Sequence, residues 1–249
     1  MPGVVKEYIC TNDYEKVEQI KKSILELYRN DISKANGKII EKVKLIFESI
    51  PAQLSKINKK FQFSAVSPDT TNRYFDTAFK WLEQSKMINI SKATNLPTLD
   101  LKSNIDYSKK KIYFLDTGLL ITLALENKEL VDKDIFKSIL LDKLHINEGM
   151  FFENIVAQQL VASNNSLVYY YGNAIKGSKK YHNTDFIIQN NKKLSLLEIK
   201  SSSYKNYPSL DAIKNKFSKL LGDSYIIYTK DFKKELNTIY LPVYMVGLL

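Results

Sequence analysis

Asp185, Glu198 and Lys200 are the residues of this 249-residue chain whose types and spacing could do chemistry. They lie in the stretch from Thr184 to Ser203, TDFIIQNNKKLSLLEIKSSS. Two apolar runs, Phe186-Ile187-Ile188 and Leu194 to Ile199, flank a polar turn from Gln189 to Lys193, which predicts a β-hairpin. Side chains alternate along a strand, so Glu198 and Lys200 share one face while Leu197 and Ile199 take the other. Asp185 begins the partner strand. An acid on one strand and an acid-x-lysine on the next can converge at one rim of a sheet. Two carboxylates there suit a hard divalent cation such as Mg²⁺ (or Mn²⁺), which prefers oxygen ligands. A lysine beside them would orient water or neutralise a phosphate. An ordinary amphipathic hairpin with solvated charges fits the same residues, so the surrounding elements must decide.

Composition narrows the field. Hydrophobic residues make up 44% of the chain and aromatics 12%, which indicates a folded protein. No apolar run is long enough to span a bilayer and no signal peptide is evident, so a cytoplasmic protein without a membrane partner is expected. Cys10 is the sole cysteine and His145 and His182 the sole histidines, which excludes a disulfide framework and a cysteine-based zinc site. Net charge is +10, of which +6 falls in residues 151–249. Such an excess favours a polyanionic partner, namely nucleic acid. Arg29 and Arg73 are the only arginines, and lysine dominance suits phosphate contacts better than bidentate base reading.

Apolar periodicity predicts helices over Asp13–Asn30, about Gly37–Ser49 and Asp69–Lys86. Pro51 is expected to mark a helix end and Gln53–Lys60 a further short helix, with Phe61–Ser67 extended. Asp69 or Thr70 would cap the third long helix. Met87–Ala93 and Lys110–Phe114 read as a strand pair around a loop. Three helices followed by a two-stranded ribbon is the order of a winged-helix domain, whose third helix often enters a DNA groove. Here that helix carries Arg73, Lys80 and Lys86 but also Asp76 and Glu83, a mixed charge that does not look like a groove reader and favours a packing role. Leu115–Leu125 and Ile135–Leu144 read as helices. Asn147–Val161 is a helix with Glu153 close to its apolar face, an unusual place for an unpaired carboxylate. Leu167–Tyr171 begins a sheet, and Tyr169-Tyr170-Tyr171 reads as sheet packing rather than base stacking. A basic turn with Lys179 and Lys180 follows. Leu210–Leu221 is read as a helix bearing Lys214, Lys216 and Lys219, and Ser224–Tyr228 as a strand.

Helix with Glu153, strand, strand with Asp185, strand with Glu198-x-Lys200, helix, strand: this order resembles the αβββαβ core of the PD-(D/E)xK nuclease superfamily, the restriction-endonuclease-like fold. The resemblance implies that Asp185 and Glu198 are metal-binding acids, that the Ile199 carbonyl is a further metal ligand, that Lys200 positions the attacking water, and that Glu153 completes the site. A second resemblance covers nearly the whole chain. It rests on Tyr28-Arg29-Asn30-Asp31-Ile32, on Lys111 to Leu120 (KIYFLDTGLL), on Glu148 to Asn154 (EGMFFEN), on Thr184 to Ile188 and on Leu197 to Ser202. These segments look like the C-terminal part of a class of bacterial and archaeal AAA-type ATPases, whose C-terminal domain is of uncharacterised function. Members usually carry Glu-Val before the aspartate, where this chain has Asn183-Thr184. Met1-Pro2-Gly3-Val4-Val5 resembles the segment that closes the ATPase module, so Met1 looks like an internal position of a longer ancestor. No P-loop sequence is present, and no ATP site is expected.

The expected architecture is therefore α/β (α+β overall). Residues 1–35 form a helical lead-in, 36–122 a winged-helix domain, 123–146 a helical connection and 147–249 a nuclease-like domain. The expected function is that of a Mg²⁺-dependent, nuclease-like, DNA-associated protein. Its phosphate contacts would fall to Lys179, Lys180, Lys214, Lys216 and Arg73, and its partners would be nucleic acid (DNA) and a separate ATPase or another protein chain. A non-catalytic nucleic-acid-binding or assembly module remains the alternative.

Overall fold

The computed structural model describes residues 1–126, 148–175, 180–201 and 207–249. The predicted helix over Ile135–Leu144 and the predicted phosphate contact Lys179 lie outside these residues. The architecture is mixed α/β with a large mixed sheet. The chain divides into two compact units, residues 1–88 with 112–154, and residues 89–111 with 155–249. The two units interleave along the chain.

The first unit holds α1 (Pro2–Thr11), α2 (Tyr14–Ser33), α3 (Ile40–Leu54), α4 (Asn72–Gln84), α5 (Thr117–Leu125) and the first half of α6 (Glu148–Ala162). Asp13 caps α2 by accepting the Glu15 and Lys16 amides, and Asp116 caps α5 by accepting the Leu119 amide. The core gathers Val43, Ile46, Phe47 and Ile50 of α3 with Phe75, Phe79 and Leu82 of α4, all of them buried. Phe61 and Phe63 stand edge-on to Phe79. Each such side chain contributes roughly 1.5–3 kcal/mol on burial.

In α1 Pro2 sits in the first turn, where its missing N–H costs nothing. Four local expectations are corrected here. Pro51 lies inside α3, which runs on to Leu54; the hydrophobic face continues through Ile50 and Leu54, and packing outweighs one lost backbone bond. The separate helix over Gln53–Lys60 is therefore absent. Phe61–Ser67 contains a 3₁₀ turn, Phe63–Ala65. Neither Asp69 nor Thr70 caps α4; Asp69 has φ 58°, and the N-cap is Thr71 with no side-chain bond.

The second unit is built on the sheet. Its strands are β1 (Ile88–Thr94), β2 (Ile105–Phe114), β3 (Val168–Gly172), β4 (His182–Asn183), β5 (Phe186–Asn190), β6 (Lys193–Ile199), β7 (Ser224–Tyr228), β8 (Lys233–Glu235) and β9 (Thr238–Pro242). Ile88 and Ile112–Phe114, at strand ends, belong to the first unit. The order is β2-β1-β3-β5-β6-β7-β9-β8, with β4 paired to β3. β1 runs parallel to β3, with Lys92 opposite Val168. That pairing is why the β1–β2 ribbon joins this unit. The pairs β3–β5 and β5–β6 are antiparallel, and β6–β7 is parallel through the crossover helix α7 (Pro208–Lys216).

Ile187, Leu194, Leu196 and Ile226 bury one sheet face against Leu210 and Ile213 of α7. α7 ends at Lys216, five residues short of the expected Leu221, so Lys219 is not helical. The terminal segment resolves into β9 and a 3₁₀ turn over Val243–Leu248.

Candidate functional site

The β5–β6 turn fixes the site. Asn190 pairs with Lys193, leaving a two-residue turn in which Asn191 takes φ 54°, a conformation asparagine tolerates well. From that turn the register runs Ile187 opposite Leu196 and Phe186 opposite Leu197. Asp185 stands just before β5, where the pairing changes step: its amide donates to the carbonyl of Leu197, the residue paired with Phe186, at 3.2 Å, and the Ile199 amide donates to Asp185 Oδ2 at 2.8 Å. On the other side, buried Thr184 ties the approach to β3. Its hydroxyl accepts the Tyr170 amide at 3.1 Å and its own amide donates to the Tyr170 carbonyl at 3.2 Å. Thr184 thus ties the residue before Asp185 to β3.

Two neighbouring carboxylates raise each other's cost of ionisation. Both side chains are only 15% exposed. Burial, and then the charge of Asp185, push the Glu198 carboxyl up to about 7. Two lysines counter this. Lys200 Nζ lies 2.9 Å from Glu198 Oε1, and Lys111 Nζ lies 3.4 Å from Asp185 Oδ1. Burial works against the Lys200 charge, but Glu198 and Asp185 outweigh it and hold its pKa above the ordinary lysine value. The Lys200 amide is fixed by the Ile227 carbonyl at 2.9 Å, so the lysine stands on paired backbone.

Lys111 is the residue that sequence reasoning did not single out. It is 3% exposed and sits over the Tyr169 ring, 5.0 Å from its centroid. The signal was a lysine inside an otherwise apolar strand end, Lys111 to Leu115; its partner lies 74 positions away.

Glu153 belongs to the first unit. It is 1% exposed, accepts the Tyr113 hydroxyl and pairs with Lys59 at 2.7 Å. Next to it, buried Asn154 grips the backbone of Phe114. Its Oδ1 accepts the Phe114 amide at 2.8 Å, and its Nδ2 donates to the Phe114 carbonyl at 3.2 Å and to Thr117 Oγ1 at 2.9 Å.

With the geometry in place, the sequence can be set beside known families. Residues 1–130, just over half of the chain, match a domain of unknown function (DUF8612). The chain belongs to the DUF8612 family. Residues 148–246 match a second domain of unknown function (DUF4143), often found in the C-terminal region of AAA-ATPase-like proteins. That agrees with the second resemblance at this coarser level. Neither a curated protein nor a solved structure matches.

In this DUF8612 chain, Asp185 and Glu198 supply four carboxylate oxygens beside the Ile199 backbone. That donor set has the hardness Mg²⁺ or Mn²⁺ requires, and such ions are commonly held by one or two carboxylates. Among the described residues, no group of three or more His, Cys, Asp or Glu side chains is placed to hold a metal ion. Of the expected phosphate contacts, Lys180 and Lys216 are exposed on the second unit and Arg73 is exposed on α4. Lys216 donates to the Asn173 carbonyl. Lys214 is half-buried, donates to Thr238 Oγ1 at 3.0 Å and has its pKa lowered by burial. Among the described residues no helix is long and apolar enough to cross a membrane.

Proposed function

We propose that this protein is a Mg²⁺- or Mn²⁺-dependent, nuclease-like protein that associates with DNA, in the manner of the PD-(D/E)xK superfamily. One observation supports it above the others: the Asp185 and Glu198 carboxylates lie close enough that, after burial, the Asp185 charge pushes the Glu198 carboxyl up to about 7, with each acid only 15% exposed and Lys200 beside Glu198. Like charges brought together away from water are costly, and groups perturbed in this way cluster where chemistry is done.

Asp185 and Glu198 would hold the cation. The chemistry an ion supplies there is charge stabilisation at a phosphate oxygen and a more acidic bound water. Lys200, kept protonated by its two acidic neighbours, donates hydrogen bonds to the attacking water or to a phosphate oxygen. Lys111 holds Asp185 from the other side. In the same reading a separate ATPase chain is a partner.

A second reading has its own support. Each acid already has an ammonium partner, so the four residues also make a self-contained ion-pair cluster in a non-catalytic nucleic-acid-binding or assembly module.

Calorimetric titration with Mg²⁺ and Mn²⁺, followed by a plasmid-nicking assay, separates the two. Saturable binding and nicking that disappear in Asp185→Ala with Glu198→Ala support the nuclease. Identical behaviour of wild type and double variant in both assays removes it and leaves the binding module.

A further inference from the structure

Tyr171 is the one member of the Tyr169–Tyr171 run that is not buried. Its ring stacks on Tyr181, with centroids 5.1 Å apart and planes 23° apart. Tyr181 lies just before β4, whose Asn183 and His182 pair with Tyr171 and Gly172. Space at position 172 is tight: a Cβ there would come 2.9 Å from the Tyr170 hydroxyl and 3.1 Å from Asn95 Cβ. Tyr181 is nevertheless 59% exposed, so one ring face rests on Tyr171 while much of the side chain meets solvent.

Cations stand beside these rings. Lys109 Nζ lies 5.8 Å from the Tyr171 centroid, and Asp106 pairs with that ammonium and holds it in place. Two residues earlier on β2, Tyr107 is 63% exposed, with Lys92 Nζ 5.6 Å from its centroid. Lys180 is exposed directly beside Tyr181. All six residues belong to the second unit, and β2 is an edge strand of its sheet.

Exposed rings, one of them braced from behind, offer flat surfaces that any base can stack on, and interleaved lysines offer phosphate contacts. This combination recognises nucleic acid whose bases are unpaired; in a duplex the bases are already stacked on each other. We infer that Tyr181, Tyr171 and Tyr107, with Lys92, Lys109 and Lys180, form a stacking ledge for single-stranded nucleic acid. The ledge names a substrate class for the nuclease-like reading, on which it rests only for the cleavage that would follow binding. The net charge of +10 supplies the long-range attraction.

The test is fluorescence anisotropy with a labelled oligo-dT of about 15 nucleotides, within the site size of such surfaces. A duplex of the same length is the comparison. Oligo-dT should bind more tightly than duplex. Tyr181→Ala and Tyr107→Ala should each weaken oligo-dT binding about tenfold, in line with one stacked base per ring. Tyr181→Phe should keep the affinity, and Lys180→Gln should lower the salt slope by about one phosphate contact. Circular dichroism melting shows whether each variant is folded. Tighter binding to duplex, no binding to oligo-dT, or equal affinity in folded Tyr181→Ala and wild type would overturn the ledge. The Asp185→Ala with Glu198→Ala protein separates the two proposals. If tyrosine-dependent binding persists while no protein nicks DNA, the nuclease reading alone fails. If nicking depends on the acids but binding ignores the tyrosines, the ledge alone fails.

Discussion

Glu153 and Glu198 are both acidic residues withdrawn from water, and the protein treats them in opposite ways. In the first unit Glu153 meets the Lys59 ammonium and the Tyr113 hydroxyl. In the second unit Glu198 meets one ammonium and another acid, and its carboxyl is pushed to about 7. A buried charge with complementary partners fixes a structure. A buried charge with a like neighbour carries a cost that a folded core has no reason to retain, and function is the usual reason such costs persist.

The largest effect should come from breaking the satisfied network. Glu153→Ala leaves Lys59 and Tyr113 without their acceptor, and urea unfolding should show a loss of about 3 kcal/mol. Glu198→Gln should cost no stability at pH 8, since it removes a repelled charge, yet it should weaken Mg²⁺ binding in calorimetry. Equal destabilisation by the two substitutions would erase the contrast.

Stability against pH sharpens it further. The folded pKa of Glu198 lies above its unfolded value, so the protonated form is favoured by folding. That contribution is complete below about 4.3, the ordinary glutamate value, and fades as pH rises through 7. Thermal melts should therefore show a decline across this window, flattened in Asp185→Asn. Added Mg²⁺ should flatten it too, because the ion competes with the proton.

The smallest effect is expected from Lys111→Met. Lys111 favours the ionised form of Glu198, so its loss should raise the Glu198 titration midpoint by a fraction of a unit, read by carbon-detected NMR. A lower midpoint would show that Lys111 does not sense the pair.

Much of this was legible in the chain itself, and the reason is locality. The hairpin that brings Asp185 near Glu198 is one short turn and two alternating strands, so local sequence sets their proximity. The mixed α/β class and the long helices followed from periodicity in the same way. What escaped depends on distant partners. Lys59 and Tyr113 reach Glu153 from remote segments, and Lys111 reaches Asp185 across 74 positions. Pro51 was misjudged because a local rule met a continuous apolar face. The Tyr169–Tyr171 run held two different residues in one word: two tyrosines pack, and the third is half-open.

The parallel pairing of β1 with β3 has a practical consequence for anyone who trims this protein. The boundary at residue 147 looks like a natural place to cut, yet a fragment of 147–249 would leave behind the strand that covers β3. Its sheet would then start at an open edge carrying Val168, Tyr169 and Tyr170, a template for pairing with the next copy. Such a fragment should aggregate on expression, whereas one that keeps residues 89–111 in place should stay dispersed.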